Sequence, residues 1–486
     1  MGKRHRLAFL LVLLAGLSIR LYHLGDTSIW LDEACSIYMS VGPLNDLVET
    51  LHRHQDVTPP GYLVLLHFWQ MVGHSETWLR LLSVLWSAVG LVATWFLVPA
   101  ASLRSRVAAT SLMAVSAIMI GYAQEVRMYS QGLALAMVGQ AFFLRGLAGS
   151  RSRIVWSGYV LAMVGAMLTE YLTAFYGFGQ LVALLAMRPP REVWRRFGLA
   201  MGAGVLLLMP AVISQSHHLA FQAWFPFHSL AVLDLVSTAF GGLFGDTLVI
   251  PDWWLALTGQ PGAQWTYVLL MSLGLALVAA YTVRGLRALP AAAAWLLGST
   301  FTLCLGGLAV ATVLTHFQFW VGRYIYTTYP ALFVTLGWGL ANASRRSLAW
   351  VAAAVVLVSN LSSWYHLDFD PAFRMQDWRS VNAFVASKIK ANSVVIVVPA
   401  MAVLPLCYYY HSPATLVPLD QANDAVLKAR TEHASPVILC SITGDLQTSG
   451  IKEWLQSHLH LQDEVVTPNA DPWNRLEVQV FDSGGS

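Results

Sequence analysis

From Leu7 to about His366 the chain is a succession of apolar runs, each about 17 to 25 residues long. A helix of about 20 residues rises about 30 Å, which matches the hydrocarbon core of a bilayer, and it satisfies its own backbone hydrogen bonds there. Repetition of such runs excludes an ordinary soluble domain over this stretch. Composition agrees: of 486 residues, 56% are hydrophobic and 11% charged, and the mean hydropathy is +0.57. Soluble globular chains carry about 25% charged residues. The class is a polytopic membrane protein.

The basic residues orient it. They gather in Lys3/Arg4/Arg6, Arg104/Arg106, Arg145/Arg151/Arg153, Arg188/Arg191/Arg195/Arg196, Arg284/Arg287 and Arg345/Arg346, with Glu192 as the one acid among them. The positive-inside bias makes these groups cytoplasmic. Eleven spans follow, near 7–24, 78–99, 106–123, 128–148, 154–170, 171–187, 196–213, 265–284, 290–315, 323–341 and 347–366. The N-terminal run lacks an A-x-A-like cleavage site and is followed by further spans, so it reads as an uncleaved first helix with the N-terminus inside. The segment 59–73, "PPGYLVLLHFWQMVG", is short, and counting it as a span would put a charged loop on the wrong side. It is expected to lie in the outer interface. Residues 25–77 then form one outer loop carrying Asp26, Asp32, Glu33, Asp46, Glu49, Asp56 and Glu76.

Beyond 366 the pattern changes. "NSVVIVVPA", "SPVILCSI" and "RLEVQVFD" are short β-type runs separated by helical segments at 376–390, 421–433 and 448–460. The expected organisation is a helical membrane domain over 1–366 and an extracytoplasmic soluble α/β domain over 367–486.

Two kinds of outer charge suggest chemistry. Arg53, Arg80, Arg127 and Arg323 are isolated bases at or near outer span ends, where a guanidinium needs an anionic partner. Asp32 and Glu33 sit side by side in "SIWLDEACSIY". A carboxylate beside arginines that hold a phosphate can deprotonate a hydroxyl while the arginines stabilise a departing phosphate. The plain alternative is a solvated acid pair and arginines that snorkel to lipid headgroups.

The motifs "WLDEACSIYMS", "DVTPPGYLVLLHFW", "SETWLRLLSVL", "AQEVRMYSQGLAL" and "GRYIYTTYPALFV", in this order over most of 1–345, resemble the GT-C glycosyltransferases, in particular the family 39, dolichyl-phosphate-mannose-protein mannosyltransferase-like branch. The resemblance implies a GT-C membrane fold with outer interfacial helices. The implied reaction is transfer of a sugar from a polyprenyl-phosphate carrier to a glycan, lipid or protein acceptor on the outer face. It further implies Asp32 as catalytic base with Glu33 as an accessory acid, and Arg80, Arg127, Tyr129, Arg323 and Tyr324 at the substrate. Asp56 falls where members carry a polar residue before "PP". Where many members have a "THY"-like element this chain has "LTEYLTAF", so Glu170 stands in for a histidine at a substrate subsite.

No cofactor is implied. The spacing of His52, His54 and Asp56 is metal-like, but a divalent metal is not favoured, because such clusters on surface helices are more often solvated faces. Cys35, Cys304, Cys407 and Cys440 include no CxxC; Cys407 and Cys440 share the outer domain and have the opportunity to pair. The glycine-rich "FGGLFGD" at 240–246 reads as a turn in a long outer loop, 214–264, which is a candidate lid over the lipid-linked sugar. Partners are membrane lipids, the lipid-linked donor and the acceptor, with no nucleic acid. The favoured location is a bacterial inner membrane. The rivals are a polysaccharide polymerase or ligase with a lipid-linked donor, and a secondary transporter, which would hold its ionisable residues at mid-membrane.

Overall fold

The computed structural model describes residues 2–53, 58–99, 102–216, 261–315, 322–411, 415–420, 424–432, 434–444, 448–469 and 474–482. Two compact units emerge. The first comprises Met1–Tyr22, Pro43–Trp69 and Arg80–Trp364; the second comprises His23–Gly42, Gln70–Leu79 and Tyr365–Ser486.

The helices begin with α1 (Lys3–Leu21), α2 (Leu31–Met39), α3 (Leu44–Arg53), α4 (Gly61–Gln70), α5 (Glu76–Leu97) and α6 (Leu103–Val115). They continue with α7 (Ala117–Gly121), α8 (Tyr129–Leu147), α9 (Arg153–Met167), α10 (Ala174–Met187) and α11 (Arg191–Ser216). Further helices run over Pro261–Ala288, Ala291–Thr315, Tyr329–Ala341 and Arg346–Phe369. Helix covers each stretch that hydropathy marks as a span. Among the described residues three helices, Glu76–Leu97, Ala291–Leu314 and Arg346–Phe369, are long and apolar enough to cross a membrane by length and composition. The first unit wears large apolar side chains outside: Leu7, Leu11 and Leu14 on α1, Leu206 and Leu207 on α11, and Val310 and Leu314 are all exposed. Water would penalise such a surface, and hydrocarbon does not.

Inside this unit small residues let backbones touch. A Cβ added to Gly339 would lie 2.0 Å from the Tyr281 carbonyl oxygen, and one on Gly285 would lie 1.9 Å from that of Thr335. Glycine on both sides is therefore required where the helices Pro261–Ala288 and Tyr329–Ala341 meet.

Two departures from simple spans matter. The stretch 106–123 is not one rod, because Ser116, with φ −64° and ψ 120°, separates α6 from α7. The segment 323–341 opens with a short helix, Gly322–Ile325, and a 3₁₀ turn, Tyr326–Thr328, before Tyr329–Ala341. Helix α4 has ten residues, about 15 Å of rise, which is half of what a crossing needs. It buries Tyr62, Leu63 and Leu66 and exposes Leu65 and Phe68. Most of the loop 214–264, including the "FGGLFGD" turn, lies outside the described residues.

In the second unit β1 (Val394–Val398), β2 (Thr415–Pro418), β3 (Val437–Ile442), β4 (His460–Val466) and β5 (Leu476–Asp482) form one sheet in the order β2-β1-β3-β5-β4. The first three strands are parallel, and β5 runs antiparallel to both β3 and β4. Alternation along β1 sends Val395 and Val397 to one face and Ile396 and Val398 to the other. Trp378, Val381, Val385 and Leu406 cover the first face, and Leu427, Ile451 and Leu455 the second. The runs read as β-type became β1, β3 and β5, and the three expected helices formed; β2 and β4 were not anticipated. β4 is exposed along most of its length and lacks the apolar alternation that marks a buried strand. Cys407 and Cys440 are both free thiols. Cys440 is buried in the core of this unit and Cys407 is exposed, so the pairing open to them in the sequence is not made.

Candidate active site

The site in the first unit is built on the break at Ser116. A helix interrupted among apolar helices leaves orphan carbonyls behind it and orphan amides ahead. Arg20, wholly buried near the end of α1, takes the first set. Its Nη1 donates to the Ala114 carbonyl at 2.8 Å and the Gly16 carbonyl at 3.0 Å, Nη2 to Met113 at 3.1 Å, and Nε to Ser87 Oγ at 2.7 Å. Asn360 takes the second, its Oδ1 accepting from the Ala117 amide at 2.9 Å. The loop that follows α7 is tied back by Gln124, whose Nε2 donates to the carbonyls of Arg20 and Tyr22. It delivers Arg127 and Tyr129 to the start of α8.

Three tyrosines pack there as a cluster: Tyr122 to Tyr129 at 4.7 Å, Tyr122 to Tyr326 at 5.0 Å and Tyr129 to Tyr326 at 5.5 Å between ring centroids. The Tyr326 hydroxyl is 2.7 Å from the Tyr129 carbonyl oxygen and 2.5 Å from Glu170 Oε2. The second contact lies at the short end of the O–H···O range. Glu170 is 4% exposed, and its other oxygen, Oε1, has no hydrogen-bond partner among the described residues. Space for it comes from Gly132, where a Cβ would stand 3.0 Å from Oε2. The Arg127 guanidinium lies over the Tyr129 ring, 5.7 Å from its centroid, and its charge reaches Glu170.

Arg80 is buried on α5, three residues before Ser83 and so on the same face. Ser83 Oγ donates to the Arg127 carbonyl at 3.3 Å and pairs with the Tyr62 hydroxyl at 3.1 Å. Arg323 and Tyr324 are half-buried in the turn that precedes Tyr326, and a Cβ on neighbouring Gly322 would come within 3.9 Å of the Tyr122 hydroxyl. The structure thus gathers Arg127, Tyr129 and Glu170, with the backbones bearing Arg80 and Arg323 nearby. Sequence reasoning missed Tyr326, Tyr122 and Arg20. The available signal for Tyr326 was its place three residues after Arg323, one turn further on.

Asp32 and Glu33 belong to the second unit, in the first turn of α2. Asp32 is half-buried and its carbonyl accepts from Ser36 Oγ at 3.2 Å. Glu33 is fully buried, and its Oε2 accepts from the Trp30 amide at 3.4 Å, the reach of an N3 glutamate back to the start of its helix. That contact gives Glu33 a local structural task. Asp56 and His54 lie outside the described residues, as does the side chain of His52. Among the described residues no group of three or more His, Cys, Asp or Glu side chains is placed to hold a metal ion.

The fold is shared with solved structures of low sequence identity. ArnT from Cupriavidus metallidurans in the apo state superposes with a TM-score of 0.63 at 15% identity, covering 97% of each chain. The same protein bound to undecaprenyl phosphate gives 0.59, with the same identity and coverage. The archaeal oligosaccharyltransferase AglB from Archaeoglobus fulgidus, in complex with an inhibitory peptide and a dolichol-phosphate, gives 0.51 at 11% identity, over 90% of this chain and 69% of that one. No protein-family model and no curated protein matches the sequence.

Proposed function

We propose that this protein is a membrane glycosyltransferase that moves a sugar from a polyprenyl-phosphate carrier to an acceptor hydroxyl on the extracytoplasmic face. The observation that carries this reading is the correspondence over 97% of both chains with ArnT, a protein whose structure has been obtained with undecaprenyl phosphate bound. In the proposed reaction Asp32 takes the proton of the acceptor hydroxyl as its oxygen attacks the anomeric carbon. The bond from that carbon to the phosphate oxygen breaks, and the electron pair leaves on the carrier phosphate, where Arg127 and Arg323 meet the charge, with Arg80 in support. Glu170, held through one oxygen by Tyr326, is suited to accept a hydroxyl of the bound sugar through the other. Half-buried Tyr324 is suited to offer a flat apolar face to a sugar ring, while buried Tyr129 sits beneath Arg127 and helps to place it. Residues 1–366 would be the catalytic membrane domain and 367–486 an extracytoplasmic support, in a bacterial inner membrane with the N-terminus inside.

The test is turnover by the full chain reconstituted in liposomes. A panel of undecaprenyl-phosphate monosaccharides, spanning hexoses, pentoses and aminosugars, would be offered with envelope glycans and lipids from a deletion strain. Release of undecaprenyl phosphate with at least one donor, dependent on acceptor, is expected. Turnover only with added diphosphate-linked donors, read as release of undecaprenyl diphosphate, would replace this reading with a polymerase or ligase.

A further inference from the structure

In the second unit the segment that leads into the Asp32 helix has no regular structure, so its backbone polar groups need partners from elsewhere. Residues of the C-terminal part of the chain supply them. Arg379 Nη1 donates to the Asp26 carbonyl at 3.1 Å, and Nη2 donates to those of Gly25 at 3.1 Å and Thr27 at 3.5 Å. The Arg379 amide, in the first turn of the helix Trp378–Lys388, donates to Ser28 Oγ at 3.1 Å. The Ile29 amide donates to the Tyr409 hydroxyl at 2.7 Å, and the Leu31 amide to Gln376 Oε1 at 3.2 Å. Gln376 is itself held by the Trp378 indole at 2.9 Å. The Leu31 side chain packs against the apolar core of the unit. Glu76, at the start of α5, then joins the set: its two carboxylate oxygens accept from Arg379 and from Tyr409. Fit is tight at this point, because a Cβ on Gly25 would fall 2.2 Å from Thr77 Oγ1.

We propose that Gln376, Arg379 and Tyr409 are positioning residues for Asp32, so that the C-terminal domain sets the geometry of the base. The inference rests on Asp32 acting as proposed above. Asp32 is one residue beyond the fastened Leu31 amide and one before Glu33, which reaches back to Trp30. A helix start pinned on both sides fixes the height and rotation of the residue between. Misplacement of a reacting group by about 1 Å costs about a hundredfold in rate.

The experiment compares Tyr409→Phe, Arg379→Lys, Asp32→Asn and the double variant Asp32→Asn/Tyr409→Phe in liposomes, using whichever undecaprenyl-phosphate monosaccharide the panel shows to be a donor. Tyr409→Phe removes only the hydroxyl that bridges Ile29 and Glu76. Arg379→Lys keeps a charge for Glu76 and loses the fork that spans three carbonyls. Both are expected to lower kcat about 10- to 100-fold with KM for the donor unchanged, and Tyr409→Phe should subtract nothing further once Asp32 is Asn. Full kcat in Tyr409→Phe and Arg379→Lys, with Asp32→Asn inactive, overturns the positioning role and leaves the base in place. A multiplicative loss in the double variant overturns it too, since that marks general damage. Full turnover by Asp32→Asn removes the base, and the positioning role with it.

Discussion

In the proposed reaction Asp32 and Arg127 do opposite things, one collecting a proton and the other holding a negative charge, and single substitutions separate these tasks. Asp32→Asn keeps size and most hydrogen-bonding capacity but removes the base. Transfer is expected to fall by about two to four orders of magnitude while binding of undecaprenyl phosphate, measured by native mass spectrometry, stays intact. Near-normal turnover at equal membrane levels would exclude Asp32 from the chemistry. At Arg127 and at Arg323, lysine retains the charge without the planar fork and alanine retains neither. Activity and carrier affinity should both rank Arg, Lys, Ala, and equal undecaprenyl phosphate binding across the series would make these arginines structural.

At the scale of the element, the break between α6 and α7 is held by polar groups that an apolar helix could not supply. Asn360→Leu strands the Ala117 amide, and a buried orphan donor costs about 1–3 kcal/mol. The variant should unfold at lower temperature in detergent, and an unchanged midpoint would show that the break needs no cap from Asn360. The contact between the helices Pro261–Ala288 and Tyr329–Ala341 makes a parallel case. Gly339→Ala places a methyl group against the Tyr281 carbonyl, so the helices must separate, at a cost of about 1–3 kcal/mol. Gly306→Ala, where a Cβ meets nothing within 4 Å, is the control expected to leave the midpoint unchanged.

For the molecule as a whole, the orientation derived from arginine clusters has a direct test, and burial chooses the reporters. Ser36 and Ser105 are both buried and would report access poorly, whereas Ser75, Arg104 and the native Cys407 are exposed. In intact cells an impermeant thiol reagent should label Cys407. With Cys35→Ser and Cys407→Ser in place, Ser75→Cys should label from outside and Arg104→Cys only after the membrane is opened. Protection of Ser75→Cys in intact cells would make α4 part of a crossing and invert the loops beyond it.

Hydropathy was enough to locate the helices and the β-type runs that became β1, β3 and β5, because that property is local and repeats along the chain. The candidate acids and arginines were picked out by motifs in order, which are likewise local. What they could not reveal were partners far apart in sequence. Tyr326 meets Glu170 and Tyr129 across 156 and 197 residues, and Arg20 meets the end of α6 across 94. A tyrosine or arginine near a span end looks the same whether it faces lipid headgroups or a buried carbonyl, since burial depends on which helices pack beside it. The Asp32 segment shows the same limit. By composition it is an outer loop of the N-terminal half, yet its backbone groups are satisfied by Gln376, Arg379 and Tyr409. Only the folded chain brings those donors and acceptors within hydrogen-bonding range.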